Sequence, residues 1–103
     1  MKITINNIEY NLKYTLRSLF IFEKITDNQF TGKQLIDYYI LFYSTLIANN
    51  SDIFKFTFDE FIEMCDNDNS LFSQFVEFLN KEMNIQNQFI NKKEDEEDSK
   101  KKV

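Results

Sequence analysis

Asp66, Asp68, Ser70 and Glu77 stand at the first, third, fifth and twelfth positions of a calcium-binding loop. Such a loop needs Gly at its sixth position for a sharp turn, and Leu71 stands there instead. The eighth position, normally apolar, is Ser73, while Leu71, Phe75 and Val76 fit the apolar face of a helix. The window therefore reads as an acidic turn followed by a capped helix, and no metal is expected. The chain contains no His, the commonest general base and metal ligand. Its single Cys, Cys65, makes neither an intrachain disulfide nor a cysteine zinc site. The remaining carboxylates are spread over polar faces and turns without a Gly-rich loop. The expectation is a protein without catalytic residues or cofactor.

One acid stands apart. Glu23 falls between Leu16, Leu19 and Phe20 on a helical wheel, on the side expected to face the core. Two structural readings stay open. In one it is a rim carboxylate paired with a Lys or Tyr. In the other it is a buried acid bonded to backbone or to a tyrosine hydroxyl, pinning the hairpin to the first helix.

The elements that would carry these residues are strongly patterned. Residues 2–12 predict a β-hairpin turning at Asn6-Asn7, because Asn tolerates the positive φ of a two-residue turn. That turn sets Ile5 against Ile8, Ile3 against Tyr10 and Met1 against Leu12 on one apolar face. Lys2, Thr4, Glu9 and Asn11 line the other. A first helix is predicted over Leu16 to Ile25, capped by Thr15 and folded back on the hairpin. Thr31 and Gln34 read as a capping box for a second helix reaching Ala48, with Phe30 and Leu35 as its hydrophobic staple. The same signal recurs at Thr57 and Glu60, with Phe56 stapling to Phe61, for a third helix to about Cys65. A fourth helix begins near Asp68 or Asn69 and extends to about Ile90. Leu71, Phe72, Phe75, Val76, Phe78, Leu79, Met83, Phe89 and Ile90 share one side of it.

The fold class expected is α+β, mostly α: a hairpin packed on a small bundle of about four helices. Residues 1–91 form one domain, and the almost wholly charged segment 92–103 is predicted disordered. With 103 residues there is room for one core, and 12 Phe with 5 Tyr supply large buried area at small entropic cost. Only one Gly and no Pro favour helices over a many-stranded sandwich. Net charge is -5, and the segment from Lys92 onward is neutral, so the excess lies on the folded part. An acidic body repels phosphate, which argues against nucleic acid as a partner. The apolar run Leu35 to Ala48 contains Asp37 and falls short of the roughly 20 residues that span a bilayer. With no secretory signal before the first strand and a lone Cys, the compartment expected is a reducing cytoplasm, with no membrane partner.

The second helix has an unusually wide apolar arc: Leu35, Ile36, Tyr38, Tyr39, Ile40, Phe42, Tyr43, Leu46 and Ile47. Leu41 lies among the polar residues opposite, with Gln34, Asp37, Ser44 and Thr45. The plain reading is a central helix covered on several sides. The functional reading leaves a flank of Tyr38, Ile40 and Leu41, joined by Phe89 and Ile90, exposed for a protein partner.

The opening Ile3-Thr4-Ile5-Asn6-Asn7-Ile8-Glu9-Tyr10-Asn11-Leu12 hairpin is followed by a Leu-rich helix ending in Glu23-Lys24-Ile25-Thr26. With the later Phe58-Asp59-Glu60-Phe61-Ile62 and its acidic turn, this order resembles the tail assembly chaperones of long-tailed bacteriophages and prophages. The resemblance covers about the first two-thirds of the chain. It implies a non-enzymatic assembly factor that binds the tape-measure protein, tail-tube subunits or both, with self-association a further option. It also implies a longer product made by frameshifting near Lys100-Lys101-Lys102, against the plainer reading of a charged, solubilising tail. The alternative function is a small acidic regulator occupying a basic site on a host protein. Raised salt separates the two, since apolar binding survives it and charge mimicry does not.

Overall fold

The computed structural model describes residues 1–83. The calls on Phe89, Ile90, the end of the fourth helix and the 92–103 tail lie outside the described residues.

Strand β1 (Lys2–Ile5) pairs antiparallel with β2 (Ile8–Asn11) in the expected register, Lys2 opposite Asn11, Ile3 opposite Tyr10, Thr4 opposite Glu9 and Ile5 opposite Ile8. Asn6 and Asn7 both take positive φ, 52° and 66°, as a tight two-residue turn demands. Leu12 N–H donates to Met1 carbonyl at 2.8 Å and extends the ladder by one pair. On the outer face Lys2 bridges diagonally to Glu9 at 3.3 Å. On the inner face Ile3, Ile5, Tyr10 and Leu12 are buried, but Met1 and Ile8 are exposed. The inner face is therefore covered except at two diagonally opposite corners, Met1 just before β1 and Ile8 on β2.

Helix α1 (Leu16–Thr26) starts as expected: Thr15 Oγ1 accepts from Ser18 N–H at 3.2 Å. Asp27 ends it in the left-handed conformation, φ 63°, with its N–H donating to Glu23 carbonyl at 2.7 Å.

The start of the second helix departs from expectation. Helix α2 (Leu35–Asn49) has Gln34 at its N-cap, and no side chain caps it. Thr31 Oγ1 meets Lys33 N–H at 3.4 Å, so the Thr31–Gln34 capping box does not form. Gly32 lies between them at φ +72°, a left-handed residue that prevents the helix from starting at Thr31. The staple is absent too. Leu35 is 66% exposed, while Phe30 packs edge-on between Phe22 and Tyr38.

Helix α3 (Phe58–Asn67) carries both halves of its box: Glu60 N–H donates to Thr57 Oγ1, and Thr57 N–H donates to Glu60 Oε1 at 2.8 Å. The last element, α4, is helical over residues 70–83. Asp68 Oδ1 accepts from both the N–H and the hydroxyl of Ser70, at 3.0 and 2.6 Å, so the acidic turn acts as its cap.

Helix α2 is the centre of the molecule, packed by α1, α3 and β2. Phe42 stacks on Phe75 of α4 at 4.5 Å and meets Phe61 of α3 edge-on at 5.0 Å. Tyr39 stacks on Phe72 at 4.2 Å. The side that reads as polar is buried as well: Ser44 and Thr45 have no exposed surface. Their hydroxyls donate to the Ile40 and Leu41 carbonyls at 2.7 Å, and such small, satisfied residues permit close helix approach. Ser18 of α1 is equally buried. Among the described residues no buried side-chain polar atom lacks a partner.

Candidate interaction surface

The residues that suggested chemistry are structural in this fold. Asp66 belongs to α3 and Asp68 caps α4, and no group of three or more potential ligands occurs among the described residues. Cys65 is buried on the inner side of α3, and burial, with Asp66 and Asp68 nearby, pushes its thiol up to about 11. A thiol so protonated is a packing residue, not a nucleophile. Glu23 is half-buried, and its carboxylate makes no hydrogen bond or ion pair among the described residues. Among the described residues it stands at a rim without the expected Lys or Tyr partner and makes no pinning contact. It does line a cleft.

The predicted partner flank on α2 is not a surface. Leu41 is 0% exposed and belongs to the core. Tyr38 and Ile40 are half-buried against the same cluster. The reason lies in α1, which covers the side of α2 carrying Leu41, Ser44 and Thr45 and leaves no free edge there. Phe89 and Ile90 lie outside the described residues.

Exposed apolar side chains gather elsewhere. Leu16 is 69% and Phe20 59% exposed, one turn apart on the outer side of α1, away from buried Ser18 and Phe22. Beside them Tyr14, Leu19, Glu23, Gln29, Phe30 and Met83 complete a cleft of about 330 Å³ that includes Phe20. A second, shallower hollow of about 400 Å³ joins the start of α2 to α3 through Leu35, Ile36, Tyr39, Phe58, Asp59 and Ile62. Sequence reasoning missed both. On α1 the wheel points to the wrong side: Leu16, Leu19 and Phe20 are expected to face the core, yet Leu16 and Phe20 are exposed and Ser18 and Phe22 are buried, because apolar residues stand all around the helix axis.

Charge divides the two hollows. Residues 1–33 hold four Lys and one Arg against three acids, whereas residues 34–83 hold nine acids against two Lys. Arg17 and Lys24 are exposed on α1 next to Phe20, and Lys13 is exposed just before it. None of the three pairs with an acid among the described residues, where the ion pairs are Lys2–Glu9 and Lys81–Glu77. The second hollow is lined by one acid, Asp59, with no cation among the described residues of its lining, whereas Glu23 lines the first with Arg17 and Lys24 exposed on the same helix.

Comparisons with protein-family models, curated proteins and solved structures find no match to this chain. What the surface can do follows from its own make-up. Exposed Leu and Phe beside an open cleft bind apolar side chains of another molecule, and the flanking charges select among them.

Proposed function

We propose that this chain is a non-enzymatic assembly factor that binds other polypeptides in the cytoplasm, in the manner of a phage tail assembly chaperone. Its clients would be the tape-measure protein, tail-tube subunits or both. The observation that carries this reading is the pair Leu16 and Phe20, exposed on α1 next to a cleft, with Leu35 and Ile36 exposed on α2. The hairpin-then-helix opening, with the later Phe58-Asp59-Glu60-Phe61-Ile62 and its acidic turn, carries the family resemblance in the sequence. No helix among the described residues is long and apolar enough to cross a membrane.

Co-expression of the full chain with tape-measure and tail-tube proteins tests the reading. The complex should form and persist as salt is raised, because apolar burial dominates it. Leu16→Ser with Phe20→Ser should abolish capture while leaving the melting temperature nearly unchanged. A chain that captures no tail component at any salt concentration overturns the proposal. The acid-rich stretch of residues 34–83 supports a second reading, a regulator that occupies a basic site on a host protein. That binding would weaken steeply with salt and be indifferent to Leu16 and Phe20.

A further inference from the structure

The outer side of α1 carries a chemical bias that the net charge of the chain conceals. Leu16 and Phe20 are four residues apart, and Lys24 continues the same spacing one turn further on. Arg17 and Lys13 lie with Lys24 on one flank of the exposed apolar pair, and Glu23, which lines the cleft, lies on the other, so cations border the pair on one side. The cleft beside it is lined by Leu19, Glu23 and Phe30 and by Met83 at the end of the described part of α4. A face of this kind suits the apolar stripe of an amphipathic helix, which presents anchors three and four residues apart. Cations on the flank favour acidic residues alongside that stripe and repel basic ones.

We propose that the α1 face takes an amphipathic helix whose apolar stripe carries Asp and Glu along the flank that meets Arg17 and Lys24. This names the class of client segment and rests on the reading of the chain as a polypeptide-binding factor. The bias is local. Among the described residues the cationic excess lies in residues 1–33, so the surface they build is the electrostatically favoured landing place for an acidic segment. The hollow at Leu35 and Ile36, lined by Asp59 and by no cation among the described residues, disfavours the same ligand.

Two designed helical peptides with the same Leu/Phe stripe, one flanked by Glu and the other by Lys, provide the probe, titrated into the full chain by calorimetry at low salt. The Glu-flanked peptide should bind about tenfold more tightly than the Lys-flanked one. Arg17→Glu with Lys24→Glu should reverse that order, and Phe20→Ser should weaken both. Equal affinities, a preference for the Lys-flanked peptide, or loss of binding on Leu35→Ser with Ile36→Ser instead would each overturn the proposal. A second measurement uses the chain's own acidic run, Glu94 to Asp98, as competitor. If replacing those five acids by amides tightens the Glu-flanked peptide by about tenfold or more, the face is taken by the chain itself, and the proposal of an external client helix falls. If tail proteins are captured but the Glu-flanked peptide is not preferred, the client class is wrong while the assembly reading stands. If neither binds, the assembly reading fails.

Discussion

Asn50 shows how one side chain joins two parts of the molecule. Its Oδ1 accepts from Asn11 N–H at 2.8 Å, and its Nδ2 donates to the Asn11 carbonyl at 2.9 Å and to the Leu46 carbonyl at 3.0 Å. The amide thus pairs with the backbone edge of β2 as a neighbouring strand would, and at the same time closes the end of α2. Asn49 adds a bond from Nδ2 to the Lys13 carbonyl at 2.9 Å. Asn50→Ala leaves two backbone groups of Asn11 without these partners and should cost about 2 kcal/mol of stability in urea unfolding. Asn50→Asp, which keeps an acceptor and loses both donors, should also destabilise. Cys65 offers a different test at this scale. A buried thiol held protonated should react with a disulfide reagent only as fast as the protein opens, and mild denaturant should accelerate the reaction. The Asn pair had been legible only as a polar turn, because a side chain's reach to a strand 39 residues away leaves no trace in local spacing.

At the scale of elements, two apparently equal capping signals have different fates. Thr57 and Glu60 cap α3 reciprocally, and Thr57→Ala should cost about 1 kcal/mol. Thr31 caps no helix, and Thr31→Ala should shift stability by no more than about 0.5 kcal/mol. Thermal melts of the two variants side by side check the pair. Gly32 explains the difference. It is left-handed at φ +72°, and an added Cβ would stand 3.0 Å from Tyr38 Oη, so Gly32→Ala should destabilise by about 1 kcal/mol or more. A box written over four residues presumes that all four adopt helix-compatible backbone. The Gly between Thr31 and Gln34 was the available warning.

Across the whole molecule, titration and burial act together. Cys65 binds its proton more tightly folded than unfolded, so unfolding releases a proton at alkaline pH. Stability should therefore fall as pH rises from 9.0 toward about 11. Tyr10, Tyr14, Tyr39 and Tyr43 have pKa values raised above 10.0 chiefly by burial, and they carry the same sign, steepening the loss once the pH passes 10.0. Melting temperatures measured from about pH 8 upward should decline throughout this window, with Cys65→Ser flattening its first part. The two sides of α1 and α2 separate as well. Leu41→Ala should cost about 2–5 kcal/mol, whereas Leu16→Ser should leave stability nearly intact and act on binding.

The hairpin, its register, the α3 box and the presence of four helices were all readable in advance. Each depends on interactions within a few residues: alternation with period two, Asn at positive φ, and a hydroxyl and a carboxylate three positions apart. What the residues could not settle alone was the choice of face. Helix α1 is apolar around its whole circumference, and α2 buries Ser44, Thr45 and Leu41 as completely as Phe42. Only the packing of α1 along α2 decides that Leu41 is core and that Leu16 and Phe20 remain outside. A helix offers several sides of nearly equal hydrophobicity, and the partner that covers one of them determines which are left to bind.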